Sequence, residues 1–440
     1  MDFGPKFDEG LRLIREAIAE AQANGRAPLT SEQMQAELDE LAALRGRPPF
    51  LPYLGSGLGR GARTMLADGR WVLDLALGIG VHLFGHGDPD LVDTAIRAAT
   101  SDLVMQGHLV FNREYHALLK TLMANAPQGM AHGWLSLSGA DANENALKLV
   151  RQKSPGRSGV IAFRGCFHGR TSAMAEITDR PDYRVGQPRT FPVEYLPFYN
   201  RRDPAPGAAT LMTLREIIQR GGEQFAAFIV ELVQGEAGFV TAPRDFFIPL
   251  FEECRRAGIA IWVDEVQTFA RTGELFATTR LGLEDYADVI TIGKVFQGSA
   301  ILYRKDFVPD PALISGTYAG ATVPMAVAAR MIERLTSAGI FGPEGREMQL
   351  ERLTREHLAR IASAHPGKIS EIDGIGAMLA FRFGNGELAS TRDFIHRCFA
   401  AGLVLYYGGH DRACVRLFLP AAVITDEELA EAFAIIERCL

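Results

Sequence analysis

The spacing of apolar residues changes character along the chain. Residues 1–50 carry them at helical intervals and end at the breakers Gly46-Arg47-Pro48-Pro49, which predicts a leading helical segment without recognisable chemistry. From about 130 to 303 the pattern turns into short apolar runs separated by longer stretches of helical period. The runs are WLSLS at 134–138, VIAF at 160–163, AFIVELV at 227–233, IAIWVD at 259–264, DVITIG at 288–293 and SAILY at 299–303. Strands buried on both faces need such continuous runs, and their alternation with helices predicts an α/β fold around a mainly parallel sheet. After about residue 330, helical patterns lead to apolar runs at 378–383 and 413–419, which predict a smaller α+β domain. The expected boundaries are 1–50 for the helical segment, 51–100 for an N-terminal part of the small domain, 101–330 for the large domain and 331–440 for the C-terminal small domain.

Length agrees with this division, since a single hydrophobic core stops growing at about 250–300 residues and the chain has 440. A net charge of −7 speaks against nucleic acid, which selects a basic face. The N-terminus lacks the basic-then-apolar layout of a signal peptide. The long apolar stretch from Val72 to Phe84 is broken by Asp74 and His82 and is shorter than the roughly 20 residues of a membrane helix. The five cysteines are scattered and lack CxxC spacing, so neither a disulfide framework nor a metal site is expected, and a cytoplasmic location fits best.

Ligands of parallel sheets gather beyond the carboxyl ends of the strands, so the polar residues just after each run are the ones that matter. Asp264 closes IAIWVD, where a carboxylate is suited to keeping a ring nitrogen protonated; taken alone, such an aspartate is more often a helix cap. Lys294 follows the next run, and a desolvated lysine amine attacks aldehydes; taken alone, it is more often a surface residue. Between Ser138 and Asn145 a strand meets a helical stretch through small residues, which suits a phosphate at a helix N-terminus. An aldehyde, a ring nitrogen and a phosphate on one cofactor describe pyridoxal 5'-phosphate.

The segments LSGADANENALKL, FHGRT at 167–171, ELVQGEAG at 231–238, VDEVQTFARTGELFA at 263–277, DVITIGK ending at Lys294 and GTYAG at 316–320 occur in that order, preceded by Gly85-His86-Gly87-Asp88-Pro89. Together they resemble the class III family of fold-type I pyridoxal-phosphate enzymes over roughly residues 55 to 435. The wording leans toward the lysine ε-aminotransferase and 4-aminobutyrate aminotransferase branches. The resemblance makes the large domain the cofactor-binding one. It implies that Lys294 is the Schiff-base lysine, that Asp264 pairs with the ring nitrogen, that Gln267 lies near the phenolic oxygen, and that Val266 and Phe167 flank the ring. It further implies that Gly139 and Ala140 bind the phosphate through backbone N–H groups, that Glu231 belongs to the cofactor-binding set, and that Thr317 reaches the cofactor phosphate of a second subunit in a homodimer.

Arg170 and Arg416 are similar to carboxylate-binding positions, and Glu236 to a switch that masks Arg416 while an ω-amino donor is bound. The implied reaction is amino transfer from an ω-amino or amino-acid donor to 2-oxoglutarate by a ping-pong mechanism, with neither nucleic acid nor membrane as partner. An aminomutase or epimerase of the same fold is the alternative. The segment between Lys294 and Thr317 is shorter than in most relatives, and ELVQ stands where Glu-Pro-Val/Ile-Gln is usual. These departures leave room for a non-catalytic homologue that still binds the cofactor.

Overall fold

The computed structural model describes residues 3–24, 28–104, 108–203, 205, 207–409 and 411–440; Met1 and Asp2, at the head of the N-terminal stretch read above, lie outside the described residues. The leading segment forms helices Pro5–Asn24 and Ser31–Arg45. Thr30 and Gln33 close the N-terminus of the second in a reciprocal capping box, and Gly46 ends it with a left-handed φ of 73°.

Seven strands build the central sheet: β1 (His132–Ser136), β2 (Gly159–Phe163), β3 (Val193–Leu196), β4 (Phe225–Val230), β5 (Ala260–Glu265), β6 (Val289–Ile292) and β7 (Ser299–Tyr303). Their order across the sheet is β1-β7-β6-β5-β4-β2-β3. β4, β5 and β6 are buried at every position, which explains their unbroken apolar runs. The neighbours from β6 through β5, β4 and β2 to β3 are all parallel. β7 alone runs against both its partners, with Ile292 opposite Ala300 and Ser299 opposite Ser136. The reason is chain length: residues 293–298 are too few for the crossover of about a dozen residues that a parallel return requires.

The run AFIVELV contains two elements, because β4 stops at Val230 and Val233–Gln234 pairs separately with Val240–Thr241. β3 was not anticipated. It is an edge strand whose Glu194 and Tyr195 are half-exposed, so it shows no continuous apolar run. Helix Arg244–Arg256 buries Phe246, Phe247, Leu250 and Phe251 on one face, in a cluster with Phe163 and Phe228. Each such ring contributes about 1.5–3 kcal/mol through burial.

Two further four-stranded sheets complete the molecule. In one, Gly55–Arg60, Arg63–Leu66 and Trp71–Asp74 are joined by Leu403–Val404, so both ends of the chain share a sheet. The other holds Ile369–Ile375, Met378–Phe383, Tyr406–Gly408 and Cys414–Phe418, at the places of the two late apolar runs. Among the described residues, no helix is long and apolar enough to cross a membrane. All five cysteines are free and buried.

Candidate active site

The sequence-predicted residues converge where the parallel strands end. Ser138 caps helix Gly139–Lys153 just after β1, Phe167 and His168 follow β2, Glu231 follows β4, Asp264 closes β5, and Lys294 follows β6. Ser138 accepts a hydrogen bond from the Asp141 N–H at 3.2 Å. The N–H groups of Gly139 and Ala140 precede the first intrahelical bond, leaving the first turn open to an anion.

Asp264 is 4% exposed and held by three donors. Asn143 Nδ2 and His168 Nδ1 each approach Oδ2 at 2.8 Å, and the Val266 N–H donates to Oδ1 at 3.0 Å. A carboxylate offers about four acceptor positions, so one remains on Oδ1. Asn143 is fixed in turn by donating to the His168 carbonyl at 2.8 Å and accepting from the Thr291 hydroxyl at 2.7 Å. Burial opposes a charge on His168, but the Cys166 sulfur and the Asp264 carboxylate outweigh it and raise the imidazole well above its ordinary value. Glu231 accepts from the backbone of Phe167 at 2.9 Å and of Gly235 at 3.0 Å, tying two loops of the site together. Burial pushes its carboxyl up to about 7.

Lys294 adopts a left-handed φ of 51° at the turn from β6 to β7, a conformation that costs energy for a residue with a side chain. Burial, followed by the cations Arg416 and Arg271, brings its amine down to about 8 against the opposing pull of Glu236 and Asp264. Val266 lies against both neighbouring glycines: a Cβ on Gly139 would sit 2.5 Å from its Cγ1, and one on Gly293 would sit 3.2 Å away. Gln267 packs on Gly235, and its buried Oε1 has no hydrogen-bond partner among the described residues.

Arg416 is fully buried and reaches Glu236 at 2.9 Å. Its remaining donors meet the carbonyls of Tyr407 at 2.9 and 3.2 Å and of Gly235 at 3.2 Å. Arg170 is exposed, with its guanidinium 4.2 Å from the Tyr183 ring centre and 5.9 Å from that of Phe167. Thr317 is exposed in the turn Thr317–Gly320. Tyr195 and Phe198 are used in packing: the Tyr195 hydroxyl donates to the Glu176 and Ile177 carbonyls, and Phe198 stacks edge-on against Phe163 and Phe246.

His168, Asn143 and Thr291 have no part in the roles expected from the sequence, although all three lie inside the quoted segments. The only available signal was a polar residue within an otherwise small or apolar motif, which does not reveal a partner far along the chain.

Residues 55–440 match the family model for class-III aminotransferases. A 2-aminoadipate transaminase from Pseudomonas putida is 33% identical over 413 residues, covering 87% of this chain and 94% of that protein. A 4-aminobutyrate aminotransferase from Mycobacterium leprae is 31% identical over 403 residues, covering 85% and 87%. Among solved structures, a lysine aminotransferase from M. tuberculosis superposes with a TM-score of 0.82 at 22% identity, over 92% of this chain and 99% of that one. An ornithine aminotransferase from Toxoplasma gondii superposes with a TM-score of 0.80 at 24% identity, over 96% and 97%. Both structural likenesses establish the fold.

Proposed function

Because the chain belongs to the class-III aminotransferases, which are pyridoxal-phosphate enzymes, we propose that it moves an amino group from an ω-amino donor to 2-oxoglutarate in two half-reactions. The observation that carries this reading is the buried pair of Arg416 and Glu236 at 2.9 Å. Burying a guanidinium is costly, and a counter-charge offsets part of that cost. Glu236, whose side chain is 19% exposed, supplies it and is free to swing outward when a dicarboxylic acceptor brings its own carboxylate. An ω-amino donor has no carboxylate next to its reacting amine, so the pair stays closed while it binds.

The residues present suit the cofactor. Asp264 keeps one acceptor position open, Gln267 holds an orphaned amide oxygen, and Gly139 leaves a cradle that a Cβ would fill. When bound, pyridoxal phosphate supplies an aldehyde for amines and a protonated ring that withdraws electrons. In this reading Asp264 holds the ring proton, with Asn143 and His168 fixing the carboxylate. Gly139 and Ala140 take the phosphate, Val266 and Phe167 enclose the ring, and Glu231 holds the Phe167 loop in place. Lys294 Nζ, whose amine is brought down to about 8 so that it loses its proton far more readily than a free lysine, would hold the aldehyde and move the substrate proton. Arg170 is the second carboxylate ligand.

A homodimer belongs to the same proposal. Leu103, Leu109, Val110, Phe111, Leu137 and Tyr318 are all between 49% and 70% exposed, and Leu137 and Tyr318 line one cleft next to Thr317. Apolar exposure of this kind marks an interaction surface. A second subunit covering it would bring its own Thr317 toward the phosphate. A cytoplasmic location rests on the free buried thiols.

Single-turnover absorbance with separate donor and acceptor tests the reading. Arg416→Ala should weaken the 2-oxoglutarate half-reaction by about 2–5 kcal/mol and the donor half-reaction less. Glu236→Ala should do the reverse. Equal losses in both half-reactions from Arg416→Ala would remove 2-oxoglutarate as the acceptor. Borohydride reduction should fix the cofactor on Lys294, read by peptide mass.

A further inference from the structure

Arg271, within the segment VDEVQTFARTGELFA, has no part in the roles above. Arg271 is fully buried. Its Nη2 donates to the Gly80 carbonyl, while Nε and Nη1 have no hydrogen-bond partner among the described residues. The carboxylate whose charge acts on it is that of Glu347. Yet Glu347 points Oε2 at the Gly273 N–H, at 2.7 Å, and burial pushes its carboxyl up to about 8, so at neutral pH it is largely uncharged. Arg271 itself is brought down by burial only to about 10 and keeps its proton. It is a buried cation that its surroundings do not neutralise.

The bond to Gly80 falls on a strained turn. Leu77, Gly78, Ile79 and Gly80 all have left-handed φ, between 50° and 81°. For Leu77 and the β-branched Ile79 this costs about 1–2 kcal/mol each. The Asp74 carboxylate holds the entry of the turn by accepting from the Ala76 and Leu77 N–H groups at 2.8 Å. Arg271 and Phe418 hold its exit: a Cβ on Gly80 would lie 2.7 Å from the Phe418 ring and 3.3 Å from the Arg271 guanidinium carbon. The same Phe418 ring lies 5.4 Å from the Arg271 guanidinium and 5.8 Å from that of Arg416. Phe418 therefore links the turn and Arg271 to Arg416 of the carboxylate clamp.

We propose that Arg271 is a positioning residue for the reaction: it locks the Leu77–Gly80 turn against Phe418 and supplies a buried positive charge, unpaired among the described residues, that acts on Lys294. Strain at this turn persists because Arg271 and Asp74 hold it from both ends. Four charged groups act on Lys294: Arg416 and Arg271 favour the neutral amine, whereas Glu236 and Asp264 favour the ammonium. Glu236 pairs with Arg416 and Asp264 with His168, whereas Arg271 Nε and Nη1 have no partner among the described residues. His82 also feels the charge of Arg271, and burial keeps that imidazole below its ordinary value. The proposal rests on the reading of Lys294 as the reactive amine, which borohydride mapping of the unaltered protein tests separately.

The experiment is reductive methylation of the full-length chain, freed of cofactor and checked for fold by circular dichroism, from pH 6 to 10, with the Lys294 peptide read by mass. Hydrogen exchange of residues 76–83 is measured in parallel. Arg271→Met should raise the Lys294 midpoint by about one unit, as loss of a nearby like charge does, and should speed exchange in the turn. Arg271→Gln retains a donor for the Gly80 carbonyl, so it should raise the midpoint to the same extent with less effect on exchange. It also decides the matter should Arg271→Met fail to fold. A folded Arg271→Gln chain whose Lys294 titrates like the unaltered protein would overturn the proposal, whatever borohydride mapping shows.

Discussion

At the scale of single residues, the site depends on how Asp264 is held. Three donors orient it and leave one acceptor position, so a neutral replacement keeps its shape and loses its charge. Asp264→Asn should still bind cofactor, while the half-reaction slows by several orders of magnitude, each factor of ten being about 1.4 kcal/mol. A near-normal single-turnover rate would remove Asp264 from the chemistry. His168 acts through Asp264. Losing its bond to a charged partner costs about 1.5–3 kcal/mol, so His168→Leu should slow the half-reaction roughly ten- to a hundredfold. Spectrophotometric titration should show weaker cofactor binding as well. An unaltered rate would make the contact one of packing alone.

Between neighbouring elements the contacts are tight. Helix Gly139–Lys153 approaches the loop after β5 with no room for a methyl group, since a Cβ on Gly139 would stand 2.5 Å from Val266. Gly139→Ala should therefore weaken cofactor affinity about tenfold or more while leaving most of the stability intact. The double variant with Val266→Ala should recover part of that loss, because residues in contact do not act additively. Cofactor titration of the four proteins checks this.

The same level shows what the amino-acid pattern reveals. Strands buried on both faces announced themselves, and with them the ends where Asp264 and Lys294 stand. β3 was hidden because an edge strand has one wet side, and the reversed direction of β7 followed only from counting the short return after Lys294. The strands from Gly55 to Asp74 were not foreseen, the first being mostly outside the core and the other two only four residues long. The meeting of Glu236 with Arg416, or of His168 with Asp264, depends on long-range packing that local spacing does not encode.

Over the whole molecule, buried acids set a pH dependence. Glu231 at about 7 and Glu347 at about 8 keep protons that the unfolded chain releases near 4.5. The folded state binds more protons between those values, so stability falls as pH rises from about 4.5 to about 8. Glu347→Gln, which resembles the protonated acid, should raise the melting temperature of the cofactor-free chain by roughly a few degrees at pH 8. The gain should vanish near pH 4.5; a gain of equal size at both pH values would mean that Glu347 is not protonated in the fold. The sharing of one sheet by both chain ends bears on how the protein is made. Trp71–Asp74 pairs locally with Arg63–Leu66 but gains its second neighbour only with Leu403–Val404, and β1 enters the central sheet only beside β7. During synthesis from the N-terminus, β1 and the free side of Trp71–Asp74 emerge long before these distant partners exist, and pairings this distant in sequence form slowly. The Lys294 turn is on the ribosome before Arg416 has been translated, so a nascent chain carries Lys294 ahead of the arginine that pairs with Glu236.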